Sequence, residues 1–199
     1  MIPTSYDEAI EQLYGLRRVG MKLDLLPVIQ GMERLGDPQE RYPSIHVAGT
    51  NGKGSTCAYT EAIIRAHGVK TGLFTSPHLV SFSERMQVNR EPISQEAILE
   101  LLAHVTEIVP SFSFFETATA MALSHFAREG VGCGVIETGL GGRLDATSVV
   151  HATVTAITSI GQDHALALSG NLRRVAWEKA GIYYGGLVEL IVNAMVDAE

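Results

Sequence analysis

The residues best suited to chemistry form a glycine-rich segment between a short apolar stretch and an amphipathic one. Its glycines let successive backbone N–H groups face one point, and the start of the following helix adds partial positive charge there. A phosphate chain satisfies those donors, the Lys53 ammonium reaches the outer phosphates, and a hydroxyl of Ser55 or Thr56 can hold Mg²⁺. The predicted nucleotide-binding residues are Gly49, Thr50, Asn51, Gly52, Lys53, Gly54, Ser55 and Thr56.

The spacing in this segment differs from the usual G-x-x-x-x-G-K-[ST] pattern. Gly54 stands between the lysine and the hydroxyl residue. The alternative interpretation is an ordinary glycine-rich turn that carries a surface lysine. The predicted strand before the segment and the predicted helix after it favour the phosphate loop.

Ser76, Glu137 and His164 each lie just beyond a predicted apolar strand, where ligands collect in open α/β sheets. A hydroxyl, a carboxylate and an imidazole at adjacent strand ends can share one cation, so these residues form a candidate metal site. The residue types leave an alternative open at each position. Ser76 then belongs to an ordinary turn with Pro77, and His164 is a hydrogen-bonded loop histidine. Glu137 then forms an ion pair with Arg143.

These segments need a scaffold of alternating helices and short strands. Apolar residues recurring every three to four positions, with Ser5 and Ser94 as N-caps, predict helices. Strands that are apolar throughout favour an α/β fold with a mostly parallel sheet covered by helices on both faces. The predicted helices span 5–18, 25–35, 53–67, 94–108, 115–128 and 171–180. The predicted strands span 44–48, 69–75, 131–137, 152–159 and 187–192, with an extended piece at 85–88.

The composition argues against several classes of protein. The chain has 199 residues, 46% of them hydrophobic, and a formal net charge of −7 at pH 7. An acidic balance argues against nucleic-acid binding, and neither a signal peptide nor an apolar run of roughly 18 residues that could cross a membrane is present. Cys57 and Cys133 are too few for a disulfide scaffold and are expected in the core, so we expect a cytoplasmic protein. One domain is expected over residues 1–199.

Several motifs, in this order, resemble one family. They are 49–55, 75–78, 137–147, 158–164 and 178–182. The run Gly-Leu-Gly-Gly-Arg-Leu-Asp-Ala-Thr within 137–147 is the most specific of them. From residue 6 to about residue 182 the chain resembles the folylpolyglutamate synthase/dihydrofolate synthase family of the Mur-ligase superfamily. The resemblance implies a P-loop-containing, Mur-ligase-like central domain that binds ATP, with 183–199 as a divergent end.

The resemblance assigns ATP and Mg²⁺ as cofactors and implies a role for each matching residue. The groups that would hold the ATP phosphates are Gly52, Lys53 and Gly54. Ser55 would lie near a first Mg²⁺. The ligands of a second Mg²⁺ would be Ser76, Glu137 and His164. The residues implied to be catalytic are Lys53, His164 and Lys179.

Lys179 matches a lysine that members of the family carry as a carbamate. Carbamylation would replace the ammonium with an anionic oxygen ligand able to hold Mg²⁺. The alternative is a solvated helix lysine that pairs with Glu178.

The family pattern also implies the residues that would bind a pterin. They are Phe115, Leu144, Asp145 and Ala146. An aromatic face stacks on a pterin ring, and a carboxylate accepts its exocyclic N–H groups. For Phe114 and Glu116 we favour instead a helix cap at Ser113 with a core aromatic residue.

The implied reaction is ATP-dependent formation of an amide between L-glutamate and dihydropteroate or a folate, through an acyl phosphate. Members of the family are about twice as long, and we expect the C-terminal ligase domain that they carry to be absent here. We therefore expect an N-terminal part with little activity of its own, capable of self-association through the surface that the second domain would cover. The alternatives are a Mur-type ligase of UDP-linked peptides and a non-catalytic nucleotide-binding remnant.

Overall fold

The computed structural model describes residues 3, 5–16, 24–161, 171–183 and 189–192. In these ranges six helices and seven strands alternate along the chain. The helices are α1 (Tyr6–Gly15), α2 (Leu26–Arg34), α3 (Lys53–Ala66), α4 (Gln95–Ile108), α5 (Phe114–Glu129) and α6 (Leu172–Ala180). The strands are β1 (Ser44–Ala48), β2 (Thr71–Phe74), β3 (Met86–Val88), β4 (Glu91–Pro92), β5 (Cys133–Glu137), β6 (Val154–Ile157) and β7 (Glu189–Val192).

The strands form one sheet in the order β4-β3-β2-β5-β1-β6-β7. The five strands from β2 to β7 in that order are parallel, and β3 and β4 pair antiparallel at one edge. The predicted α/β class and mostly parallel sheet are confirmed. Because β1 lies between β5 and β6, the segments that follow these three strands meet at one end of the sheet.

Helices cover both faces of the sheet. On one face Cys57 of α3 packs against Val47, Leu73 and Val135 of three neighbouring strands. On the other face α1, α4 and α5 enclose the larger core, which includes Phe74 and Ile136 of the sheet. The core position predicted for Cys57 is confirmed, whereas Cys133 is partly exposed at the start of β5.

Local signals in the sequence begin and end the helices. Ser94 accepts a hydrogen bond from the backbone N–H of Ala97 and caps α4, as predicted. Ser113 and Glu116 form a capping box at α5, which ends at Gly130 with φ of 62°. In the described ranges no helix is both long enough and apolar enough to cross a membrane.

The β3–β4 hairpin differs from the prediction of a single extended piece at 85–88. The chain reverses at Asn89 and Arg90, whose φ angles of 51° and 71° are uncommon for residues other than glycine. Pro92 shortens the returning strand because it has no N–H to donate. Asn-Arg is a weak hairpin signal, so the sequence pattern did not predict the reversal.

Candidate active site

The phosphate-loop candidate runs from Gly49 to Gly52, between the end of β1 and the start of α3. Gly52 has φ of 80°, and a side chain at Gly49 would collide with Thr158 beyond β6. Hydrogen bonds also fix the loop to the segment that follows β6. The backbone N–H of Thr50 donates to the Ser159 carbonyl at 2.9 Å, and that of Asn51 donates to the Ser159 hydroxyl at 2.9 Å. The loop is therefore supported by the neighbouring strand end.

Lys53 is the first residue of α3 and its ammonium bends back over the loop. Nζ donates to the carbonyl of Gly49 at 3.1 Å and to that of Thr50 at 3.4 Å. This places a cation beside the positive end of a helix, and the two together attract an anion. Lys53 is half-buried and lines a cavity at the end of the sheet, and its role in phosphate binding stays a prediction.

Glu137 ends β5 and is 4% exposed. Its Oε2 accepts the backbone N–H of Ser76 at 2.9 Å, and a side chain at Gly54 would approach the same oxygen to 3.6 Å. Burial raises the pKa of Glu137, against the opposing effects of the Ser76 hydrogen bond and of the charges on Lys53 and Arg85. Two of the three predicted metal ligands thus meet beside the phosphate loop.

The other predictions for this region have different outcomes. The ion pair between Glu137 and Arg143 is absent, because Arg143 Nη2 bonds to Glu178 Oε1 at 2.9 Å. His164 lies outside the described residues. The described ranges hold no group of three His, Cys, Asp or Glu side chains that could bind a metal, so the complete metal site stays a prediction.

A cavity of about 460 Å³ opens beside Lys53 and Ser76. All four side chains predicted to bind a pterin line it: Phe115, Leu144, Asp145 and Ala146. The Phe115 ring stands against the backbone of Gly139, where a side chain would not fit. The cavity therefore combines an aromatic face with a cation at the phosphate loop, in one continuous space.

The interpretation favoured for the neighbours of Phe115 is confirmed. Phe114 is 8% exposed and stacks on Tyr14 with ring centroids 5.4 Å apart. The carboxylate of Glu116 accepts the backbone N–H of Ser113 at 2.6 Å, which closes the helix cap.

Asp145 is 6% exposed and bonds extensively to its own loop. Oδ2 accepts the backbone N–H of Gly139 at 3.0 Å and of Leu140 at 2.7 Å. Oδ1 accepts the backbone N–H of Thr147 at 3.0 Å and its hydroxyl at 2.5 Å. Burial raises the pKa of Asp145 and these four bonds lower it, leaving the pKa raised overall. The predicted ring ligand is therefore also the residue that holds the cavity wall together.

Arg85 brings a second cation to the cavity. Its guanidinium is buried, lies 5.3 Å from the centre of the Phe114 ring and lines the cavity. Nε donates to Nδ1 of His78 at 2.7 Å, so Nδ1 carries no proton and Nε2–H of His78 bonds to the Tyr14 hydroxyl at 3.0 Å. Phe114 is distant from Arg85 in sequence, so no local pattern predicts this contact.

Lys179 is 5% exposed near the end of α6. The alternative of a solvated lysine is therefore wrong, and Glu178 forms an ion pair with Arg143. The helix docks closely on the loop after β5: the N–H of Arg143 donates to the Glu178 carbonyl at 2.8 Å, and a side chain at Gly181 would collide with Arg143. Carbamylation of Lys179 stays a prediction.

No protein-family model matches the chain. The dihydrofolate synthase/folylpolyglutamate synthase of Bacillus subtilis is 40% identical to it over 98% of the chain and 47% of the relative. The structure of E. coli FolC in complex with DHPP and ADP superposes with a TM-score of 0.89 at 34% identity, over 94% of this chain and 46% of that one. The Yersinia pestis folylpolyglutamate synthase/dihydrofolate synthase with AMPPNP and Mn gives 0.91 at 34% identity, over 98% and 48%. The chain thus spans about half the length of these relatives.

Proposed function

We propose that this chain, which matches the N-terminal half of the folylpolyglutamate synthase/dihydrofolate synthase family in sequence and in fold, contributes the ATP site and the acceptor site of a glutamate ligase. The reaction joins L-glutamate to dihydropteroate or to a folate. One observation carries the proposal. Lys53 of the phosphate loop and Phe115 of the aromatic wall line the same cavity, so an acceptor stacked on Phe115 can direct its carboxylate toward ATP.

ATP with a divalent metal is the cofactor pair of this family. The residues present fit it: the loop from Gly49 to Gly52 turns into the start of α3, and the buried carboxylate of Glu137 lies beside Gly54 and Ser76. The residues proposed to hold the phosphates are those from Gly49 to Thr56. Those proposed to hold Mg²⁺ are Ser55, Ser76, Glu137 and His164. A bound Mg²⁺ supplies positive charge that offsets the charge of the phosphates.

Residues of this chain bring together the acceptor carboxylate and the phosphates of ATP, which are both anionic. Phe115 stacks on the acceptor ring, and Asp145 with Leu144 and Ala146 fixes its edge. Lys53 neutralises phosphate charge, and a preorganised cation of this kind contributes about 3 kcal/mol to the barrier reduction. For that role its ammonium exchanges the Gly49 and Thr50 carbonyls for phosphate oxygens. Lys179, as a carbamate, adds an anionic oxygen ligand for the metal.

The proposed reaction has two steps. An oxygen of the acceptor carboxylate forms a bond to the γ-phosphorus of ATP, and the bond from that phosphorus to ADP breaks. The amine of glutamate then forms the amide bond at the activated carbonyl, phosphate leaves and the amine loses a proton. We place this reaction in the cytoplasm. Self-association of the chain stays a prediction, to be tested by sedimentation.

The test is pteroate binding to the 199-residue chain, followed by ADP release with Mg-ATP, dihydropteroate and glutamate, each omitted in turn. We expect pteroate to bind, and the variant Phe115→Ala to bind it at least tenfold more weakly through loss of stacking, while Ile63→Ala on the exposed face of α3 binds normally. Lys53→Ala should abolish any ADP release and remain folded. Binding of a UDP-linked peptide in place of pteroate would contradict the proposal and favour the Mur-type ligase.

A further inference from the structure

A buried histidine connects the strand that carries the phosphate loop to the wall of the cavity. His46 lies in β1, three residues before Gly49, and its side chain is fully buried. Its Nε2 lies 2.8 Å from Oγ1 of Thr147, and that oxygen lies 2.5 Å from Oδ1 of Asp145. Neither His46 nor Thr147 has a role in the reaction proposed above.

The chemistry of the three groups fixes the direction of these hydrogen bonds. The Thr147 hydroxyl has one proton, and an ionised Asp145 can only accept, so Thr147 donates to Asp145. Three backbone N–H groups also donate to Asp145 and favour its ionised form. The oxygen of Thr147 then accepts from His46, which requires the proton on Nε2. Nδ1 of His46 has no partner among the described residues, which agrees with a neutral ring protonated at Nε2 alone.

The other end of this chain of bonds forms the cavity wall. Oδ2 of Asp145 accepts the N–H groups of Gly139 and Leu140, and Gly139 is the residue against which the Phe115 ring stands. The orientation of the Asp145 carboxylate therefore sets the position of the backbone that supports the Phe115 ring. Thr147 holds one oxygen of that carboxylate, and His46 holds Thr147.

We propose that His46 is a positioning residue for the acceptor: by donating to Thr147 it fixes the Asp145 carboxylate and, with it, the Gly139–Leu140 backbone that supports the Phe115 ring on which the acceptor stacks. This inference rests on the proposed function. It predicts an effect on acceptor binding and little effect on nucleotide binding, although His46 lies in the strand that leads into the phosphate loop.

Two variants of His46 separate the hydrogen bond from the volume of the ring. His46→Gln can place an N–H donor near the position of Nε2, whereas His46→Leu fills the space without a donor. We expect His46→Leu to weaken pteroate binding about tenfold and His46→Gln to stay within about threefold of the wild type. Binding of a non-hydrolysable ATP analogue with Mg²⁺ should change less than about twofold in both variants.

If His46→Leu does not fold, a second pair of variants, at Thr147, and a spectroscopic measurement still test the proposal. Thr147→Val should weaken pteroate binding as His46→Leu does, and Thr147→Ser should preserve it. Nitrogen NMR of the wild-type chain should show the Nε2–H tautomer of His46, and the Nδ1–H tautomer would overturn the inference. Equal pteroate affinity in each matched pair would overturn it while leaving the proposed function intact. Failure of the wild type to bind pteroate would overturn both.

Discussion

Two buried carboxylates, one at the end of β5 and the other in the loop that follows it, are held in different ways. Glu137 and Asp145 are both almost inaccessible to water, and burial raises the pKa of each. In the described part of the chain Glu137 accepts one hydrogen bond, from Ser76, whereas Asp145 accepts four. Glu137 therefore keeps acceptor capacity beside the phosphate loop, where a cation can use it. Asp145 has its capacity taken up by its own loop, so its main contribution is to organise that loop.

The largest expected effect follows from removing the charge of Asp145. In the variant Asp145→Asn the amide group turns an N–H toward backbone N–H donors, either those of Gly139 and Leu140 or that of Thr147. We expect the free energy of unfolding to fall by about 3 kcal/mol. Urea denaturation measures it, with the exposed Asp7→Asn as a control that changes it by less than about 1 kcal/mol. A small loss in Asp145→Asn would show that the four bonds do not hold the loop.

The second effect concerns pH and His46, which supports Asp145 through Thr147. Burial lowers the pKa of His46 from 6.5 to about 3, so in acid the unfolded chain binds a proton that the folded chain does not. Stability from this group is present above pH 6.5 and is lost as the pH falls toward 3. The free energy of unfolding should fall by about 2 kcal/mol from this group between pH 7 and pH 5. Denaturation of the wild type and His46→Gln at both pH values measures it, and parallel pH dependence in the two proteins would refute it.

Glu137 should respond in the opposite manner to Asp145. In Glu137→Gln the amide oxygen can still accept the Ser76 N–H and a buried charge is removed, so the free energy of unfolding should change by less than about 1 kcal/mol. The Mg²⁺-dependent part of nucleotide affinity should fall at least tenfold, about 1.4 kcal/mol. Titration of an ATP analogue with and without Mg²⁺ measures it, with Glu100→Gln on α4 as the control. An unchanged Mg²⁺ requirement would remove Glu137 from the metal site.

The last comparison concerns the contact between α6 and the loop that joins the two carboxylates. The ion pair of Arg143 with Glu178 is partly exposed, so Arg143→Ala should cost less than about 1 kcal/mol. Gly181→Ala should cost more, about 2 kcal/mol, because the added methyl group would overlap Arg143. Thermal unfolding of the two variants compares them. The reverse order would mean that charge, rather than close packing, holds the helix.

The features predicted correctly from the sequence are those that depend on residues close together in the chain. Helix caps at Ser94 and Ser113, the apolar strands and the glycine-rich turn between β1 and α3 depend on residues within a few positions of one another, and all of them are present. His46 was not predicted to take part in the site. The hydrogen bond from His46 to Thr147 joins residues 101 positions apart, and no local pattern reports such a contact. The available sign of a special role for His46 was its position between the apolar residues Ile45 and Val47 of β1.

The β3–β4 hairpin affects how this protein behaves in a crowded solution. The outermost strand on that side is two residues long, and it consists of the exposed residues Glu91 and Pro92. A proline offers no N–H to a strand from another molecule, and a charged side chain resists an apolar one. This side of the sheet therefore does not act as a template for further strands, which protects the chain from aggregation through its backbone.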